Sequence, residues 1–308
     1  MQKAVARFFH HGRVGMCFVV ALGGAVAAAW GQVDIHWSLL NSRTLLMEPI
    51  KAEIRISNYT GRMMDFSQET GNARLSFAIE ADESDRVATS GRPLLPGPVL
   101  IPPGETRDLN VDLLQAYRVV RGQSYMIMPE IRFEGMRFSG QRLALEVQPG
   151  LEILKRTYGL PADGTARTVS LRVIHRDRFD HLFFRLDNPA TGFCLAAVDL
   201  GGLIRFIPPT LELDANGVFH VLHQSIPERF SHARFDFNGK SLGTDFYLAV
   251  SGAICMKRNE AGEVEVTGGT LFEPDAAAPG HLTAPSLPPS HPYPTTLGAP
   301  SPDDGTRK

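Results

Sequence analysis

The chain of 308 residues is poor in cysteine and tryptophan, and once its first 31 residues are set aside only Cys194, Cys255 and Trp37 remain. Two cysteines leave one pairing, Cys194 with Cys255. Its alternative is a pair of buried, small apolar residues, and sequence separation does not choose between the two. No C-x-x-C pair or H-E-x-x-H helix occurs, so the common redox and zinc-protease signatures are missing. "NGKS" at 238–241 resembles the end of a phosphate-binding loop. However, the position that should carry the first glycine is Arg234, and the segment reads as a hairpin turn.

An excess of basic charge is also missing. The formal net charge is −2, and removing residues 1–31, which carry Lys3, Arg7 and Arg13 and no acid, takes it to −5. Neither this balance nor any local run of lysine or arginine supplies the basic face that a nucleic-acid binder needs. A long apolar run is missing as well. "VGMCFVVALGGAVAAAW", behind three positive charges and ahead of a polar "GQVD", is shorter than the ~20 residues of a spanning helix. It reads as a secretory signal peptide over residues 1–31, which makes the protein secreted or periplasmic with no membrane span after cleavage. Retention of the segment as an anchor is the other outcome.

What is present is β-pattern. In "EPIKAEIRISNYTG", Ile50, Ala52, Ile54 and Ile56 alternate with Lys51, Glu53, Arg55 and Ser57, the period of a strand with one buried face. "ARLSFAIE", "LNVDL" (Leu109, Val111, Leu113) and "RLALEV" repeat it, with turn clusters between them. The expected fold class is all-β: an N-terminal β-sandwich over 32–148, then a second antiparallel β domain over 149–273. From Pro274 onward nine prolines and almost no large apolar residue predict a disordered proline-rich tail, 274–308. Asn58-Tyr59-Thr60 fits a glycan acceptor sequon, which matters only in a host that glycosylates such sites, and its place in a turn cluster is a sufficient structural explanation.

The succession "EPIKAEIRISNYTGRMMDF", "ARLSFAIE", "LIPPGETRDLNVDL", "RGQSYMIMPEIRF" resembles immunoglobulin-like domains of secreted bacterial proteins, including the proteinase-inhibitor-like subgroup. Tyr125 stands where such domains often carry a tyrosine corner. The resemblance covers residues 33–148 and implies a protease-inhibitor role. In the second domain, "FCLAAVDLGGLI" and "HARFDFNGKSL" share one strand-turn pattern, and "LELDANGVFHVLHQ" and "CMKRNEAGEVEVTGG" share another. Gly202 would match Gly239, and Gly217 would match Gly262. This resembles β-propeller blades, two blade-like repeats that do not close a ring.

The sharpest chemical question sits in "LELDANGVFHVLHQ". A calcium loop fits poorly because His223 stands where the closing glutamate belongs. Asn216-Gly217 between apolar strands predicts a hairpin, which sends His220 and His223 to opposite faces of one strand. If a site exists, its material is His175, His181, Asp214, His220, His223 and His232, a set suited to a metal or to general acid/base pairs.

The sequence therefore supports an exported, non-enzymatic binding or assembly protein with a protein or carbohydrate partner outside the cytoplasm and no cofactor. Segments 80–97 and 223–232 are the expected contact loops. A metal-assisted hydrolase using the histidine and aspartate set is the alternative.

Overall fold

In a computed structural model of the chain, the structure describes residues 32–67, 70–81, 86–159, 164–249 and 253–272. The signal peptide expected over 1–31 and the tail expected over 274–308 lie outside the described residues. The fold is all-β, and what is described falls into two compact units. One runs to Leu203 and includes Phe237–Lys240; the other holds Ile204–Asp236 and the residues from Ser241 on.

The first unit begins with β1 (Val33–Leu39), β2 (Arg43–Leu45), β3 (Lys51–Asn58), β4 (Met64–Asp65), β5 (Ala73–Ala81), β6 (Leu100–Ile101) and β7 (Thr106–Asp112). After one turn of helix, α1 (Leu113–Ala116), come β8 (Ser124–Phe133), β9 (Met136–Ser139) and β10 (Leu143–Gln148). One sheet has the order β1-β3-β7 and the other β2-β10-β8-β5, with β9 added to β8. Ala52, Ile54 and Ile56 point inward and Lys51, Glu53 and Arg55 outward, so the alternation in sequence becomes the burial pattern of β3. They share one core with Trp37, Phe77, Ile127 and Phe133, and the indole of Trp37 meets the Phe77 ring edge-on at 5.4 Å.

The two sheets enclose this core as a β-sandwich, with β2 running parallel to β10 at one edge. The Tyr125 hydroxyl donates to the Arg121 carbonyl at 2.9 Å, the back-bond of a tyrosine corner. Leu113, expected in a strand, opens α1 instead. The Asp112 carboxylate accepts the Leu114 N–H as an N-cap and holds the Ile50 N–H as well.

Four strands complete the first unit: β11 (Leu151–Gly159), β12 (Ala166–Arg176), β13 (Phe179–Asp187) and β14 (Cys194–Gly202), an antiparallel meander in chain order. The link from β10 is tight at Gly150. Its φ is 71°, and a Cβ there would lie 2.7 Å from the Leu45 side chain, so both backbone and space require glycine. Leu45 packs with Ile174, Phe183 and Ala197.

A charged pair is buried beside this apolar contact. Arg176 Nη2 donates to both oxygens of Glu48, at 3.0 and 2.9 Å. Arg176 is 3 % and Glu48 7 % exposed. The same carboxylate accepts the Thr44 hydroxyl at 2.7 Å and the Leu45 N–H at 2.8 Å. The guanidinium also lies 3.4 Å from Asp199 and over the Phe183 ring.

The second unit contains β15 (Thr210–Leu213), β16 (Phe219–Ile226), β17 (Arg229–Phe235), β18 (Ser241–Leu248), β19 (Cys255–Arg258), β20 (Val264–Thr267) and β21 (Thr270–Phe272). Strands β15 to β18 form a second four-stranded meander, with β21 added at its edge and β19–β20 a separate hairpin. Gly217 and Gly262 do occupy equivalent turns. Asp214 and Asn259 each close theirs by accepting a backbone N–H four residues on, from Val218 and Glu263. Gly202 and Gly239 do not correspond: Gly202 ends β14, whereas Gly239 lies in the turn between β17 and β18.

Removing one partner of a buried ion pair strands the other charge, which typically costs about 3–5 kcal/mol. Glu48→Ala is therefore expected to lower the urea midpoint by that order, and Glu48→Ala with Arg176→Met to recover most of it. A double variant no more stable than Glu48→Ala alone would contradict this account of the pair.

Candidate functional site

Asp214-Ala215-Asn216-Gly217 is the turn between β15 and β16, with Gly217 at φ 79°. Asp214 organises it, since its Oδ1 accepts the N–H groups of Asn216 and Val218, both at 2.8 Å. That leaves Oδ2 free to turn toward the sheet, where His220 Nε2 lies at 3.2 Å. A carboxylate only accepts, so with neutral rings His220 donates from Nε2 and accepts at Nδ1. Its partner there is His232 Nε2 at 3.0 Å.

Register explains the meeting. Leu222 pairs with His232 and His220 with Arg234, which makes His220 and His232 diagonal neighbours on one face of β16 and β17. Their rings stack at 5.2 Å between centroids.

The result is a relay of Asp214, His220 and His232. It is sealed: His220 is 5 % and His232 4 % exposed. The last atom, His232 Nδ1, is buried without a hydrogen-bond partner among the described residues. Burial and the charges of His220 and Arg234 depress the His232 pKa from 6.5 to about 4. The ring therefore stays neutral at ordinary pH.

The other candidate residues are held elsewhere. His223 faces the opposite side of β16 and is 1 % exposed. In the first unit His175 Nδ1 lies 3.1 Å from Asp180 with its side chain largely exposed, and His181 Nδ1 lies 3.1 Å from Asp199. Among the described residues no group of three or more histidine, cysteine, aspartate or glutamate side chains is placed to hold a metal ion. No helix there is long and apolar enough to cross a membrane.

Two alternatives left open by the sequence are decided and one expectation is corrected. Cys194 and Cys255 are free thiols. The Cys194 thiol contacts the Ala196 carbonyl, and burial pushes its pKa up to about 11; the Cys255 thiol meets the Thr267 hydroxyl. Asn58 is fully buried, its amide donating to Arg62 and Ile101 carbonyls, which leaves no exposed nitrogen for a glycan. Segment 223–232 is no loop: it is the end of β16, the Pro227–Glu228 turn and the start of β17.

A signal for the relay was present in the sequence. Val173-Ile174-His175 and Arg178-Phe179-Asp180-His181-Leu182-Phe183-Phe184 reappear as Val221-Leu222-His223 and Arg229-Phe230-Ser231-His232-Ala233-Arg234-Phe235. The registers agree, with Val173 opposite Leu182 and Val221 opposite Ala233, Leu171 opposite Phe184 and Phe219 opposite Phe235. The two hairpins are equivalent; both close on a two-residue turn, and the second extends further through a bulge between Gln224 and Ile226. His232 thus stands where His181 does, and each finds an acid-linked partner.

Fold and site together define an all-β chain with a sandwich, two meanders and a buried histidine relay. No family model and no curated protein matches it. Among solved structures it is similar to Spo0M, a sporulation control protein from Bacillus subtilis, at 11 % identity and TM-score 0.25 over 53 % of this chain and 82 % of that one. It is also similar to the periplasmic chaperone SfaE, at 9 % identity and TM-score 0.21 over 68 % and 97 %. Scores this low bear on neither fold nor function.

A group whose folded pKa lies below its unfolded value binds fewer protons in the folded state between the two. For His232 that window runs from about 4 to 6.5. Its contribution to stability is complete above the window and is lost as pH falls through it. His232→Gln, which keeps a donor toward His220, is expected to flatten the dependence of the urea midpoint on pH there. An unchanged slope would contradict the burial of a neutral His232.

Proposed function

We propose that the chain is an exported, non-enzymatic binding protein whose sandwich meets a partner outside the cytoplasm. The observation that supports this is a contrast between closed and open polar groups. The relay of Asp214, His220 and His232 ends on a buried nitrogen, whereas the sandwich carries open grooves of about 300 and 390 Å³ on either side of Arg74. Recognition needs accessible groups on a rigid frame. In the second unit Phe206, 92 % exposed beside Ile207 and two prolines, is an apolar anchor of the kind interfaces use. The signal-like run over residues 1–31 supports export.

The relay is the observation in favour of a hydrolase. Serving one would require His232 Nδ1 to reach a nucleophile, a metal or a substrate through the packing that covers it.

The test is retention of envelope and medium components, both proteins and glycans, on immobilised mature protein, compared with protein carrying His220→Gln. A specific fraction retained equally by both is expected. The reading fails if nothing specific is retained, or if a hydrolytic turnover is found that His220→Gln abolishes.

A further inference from the structure

Three arginines of the sandwich stand in one line across three strands. Arg74 on β5 pairs in register with Arg132 on β8, and Arg132 pairs with Arg137 on β9. All three are exposed. Neighbouring strands lie about 4.8 Å apart, so the side chains rise from the sheet at that repeat.

Like charges placed directly opposite destabilise a sheet, and little here offsets them. Arg137 comes within 3.7 Å of Glu130. Neither Arg74 nor Arg132 makes an ion pair among the described residues. Glu134, the acid lining the groove between them, is held by Arg62 at 2.7 Å.

The surroundings suit a ligand. The groove of about 300 Å³ is lined by Asn72, Arg74 and Arg132, and the one of about 390 Å³ by Arg74, Ser76 and Arg92. They share Ala73 and Arg74, which extends the cationic row past the edge of β5 to a fourth arginine. Arg74, Arg132 and Arg92 thus place exposed positive charge, without an ion pair among the described residues, along one open line.

We propose that this face binds a linear acidic polysaccharide whose carboxylate or sulfate groups recur along the arginine row. The inference rests on the binding reading above and names its ligand class. Guanidinium forks match such oxyanions with two parallel hydrogen bonds each. Direction selects the ligand. A peptide added to the β5 edge would run along the strands and send successive side chains to alternate faces, whereas a chain lying across the strands meets Arg74, Arg132 and Arg137 in turn.

The experiment is titration of the full mature chain, at low and at physiological salt, with heparin-derived and polygalacturonate oligosaccharides, neutral dextran and single-stranded DNA of matched charge. At least one acidic glycan is expected to bind, with affinity falling as salt rises; dextran should not bind, and DNA should bind more weakly. Arg74→Gln with Arg132→Gln should weaken the glycan by roughly tenfold per arginine. Arg74→Lys with Arg132→Lys should retain part of the affinity. Arg55→Gln, on the other sheet, should leave it unchanged, and the double glutamine variant should melt no lower than the parent, since it removes opposed like charges. The inference is overturned if no acidic glycan binds, if DNA binds as well as the glycan, or if the double glutamine variant binds normally. If only the glycans fail while immobilised protein still retains a specific partner, the binding reading survives without this ligand. If nothing is retained either, both fall.

Discussion

The Glu48 carboxylate, buried where the sandwich meets the first meander, is the constraint on which the junction of the first unit depends. It accepts from the Thr44 hydroxyl and the Leu45 N–H on one side and from Arg176 on the other, and so joins the turn after β2 to the end of β12. Two charges removed from water are stable only when their hydrogen-bonding capacity is met, and four short contacts meet that of Glu48. Leu45 packs against Ile174 and Phe183 beside the pair. The sandwich and the first meander are held together by an apolar contact and an ionic one at the same place.

The same rule, applied elsewhere, sorts the polar groups of the molecule. In the second unit Asp214 fixes its own turn, then fixes His220, which fixes His232; burial keeps the last ring neutral, and the chain of bonds reads as internal scaffolding. On the sandwich the opposite holds. Arg74, Arg132 and Arg137 are in register, exposed and short of acids, a costly arrangement for a sheet with no ligand to neutralise it. Buried polar groups that are satisfied hold the fold together, and exposed charges that are unsatisfied remain available for binding.

Much of the fold was legible because strand alternation and turn chemistry are local. Ile54 and Ile56 announced the core face of β3, Asn216-Gly217 announced a hairpin, and the placement of Tyr125 matched its bond to Arg121. What escaped depends on register, which no local pattern encodes. His220 and His232 meet because β16 and β17 pair with Leu222 opposite His232, although the recurrence of Arg-Phe-x-His-x-x-Phe could have tied His181 to His232. The arginine row was invisible for the same reason: Arg74 is remote in sequence from the other two, and a search for runs of basic residues finds none. At Asn58 a sequon competed with a turn signal, and its side chain accepts from Thr60 and donates to Arg62 and Ile101 carbonyls as the turn signal implies, since a sequon says nothing about burial.

The central claim is that ligand chemistry lies on the open sandwich face and that the histidine relay is structural. The most direct measurement is amide chemical-shift mapping of isotope-labelled mature protein titrated with an acidic oligosaccharide. The account predicts perturbations concentrated on β5, β8 and β9 around Arg74, Arg132 and Arg137, with the Asp214, His220 and His232 resonances unmoved. Perturbations centred on β15 to β17 instead would contradict it.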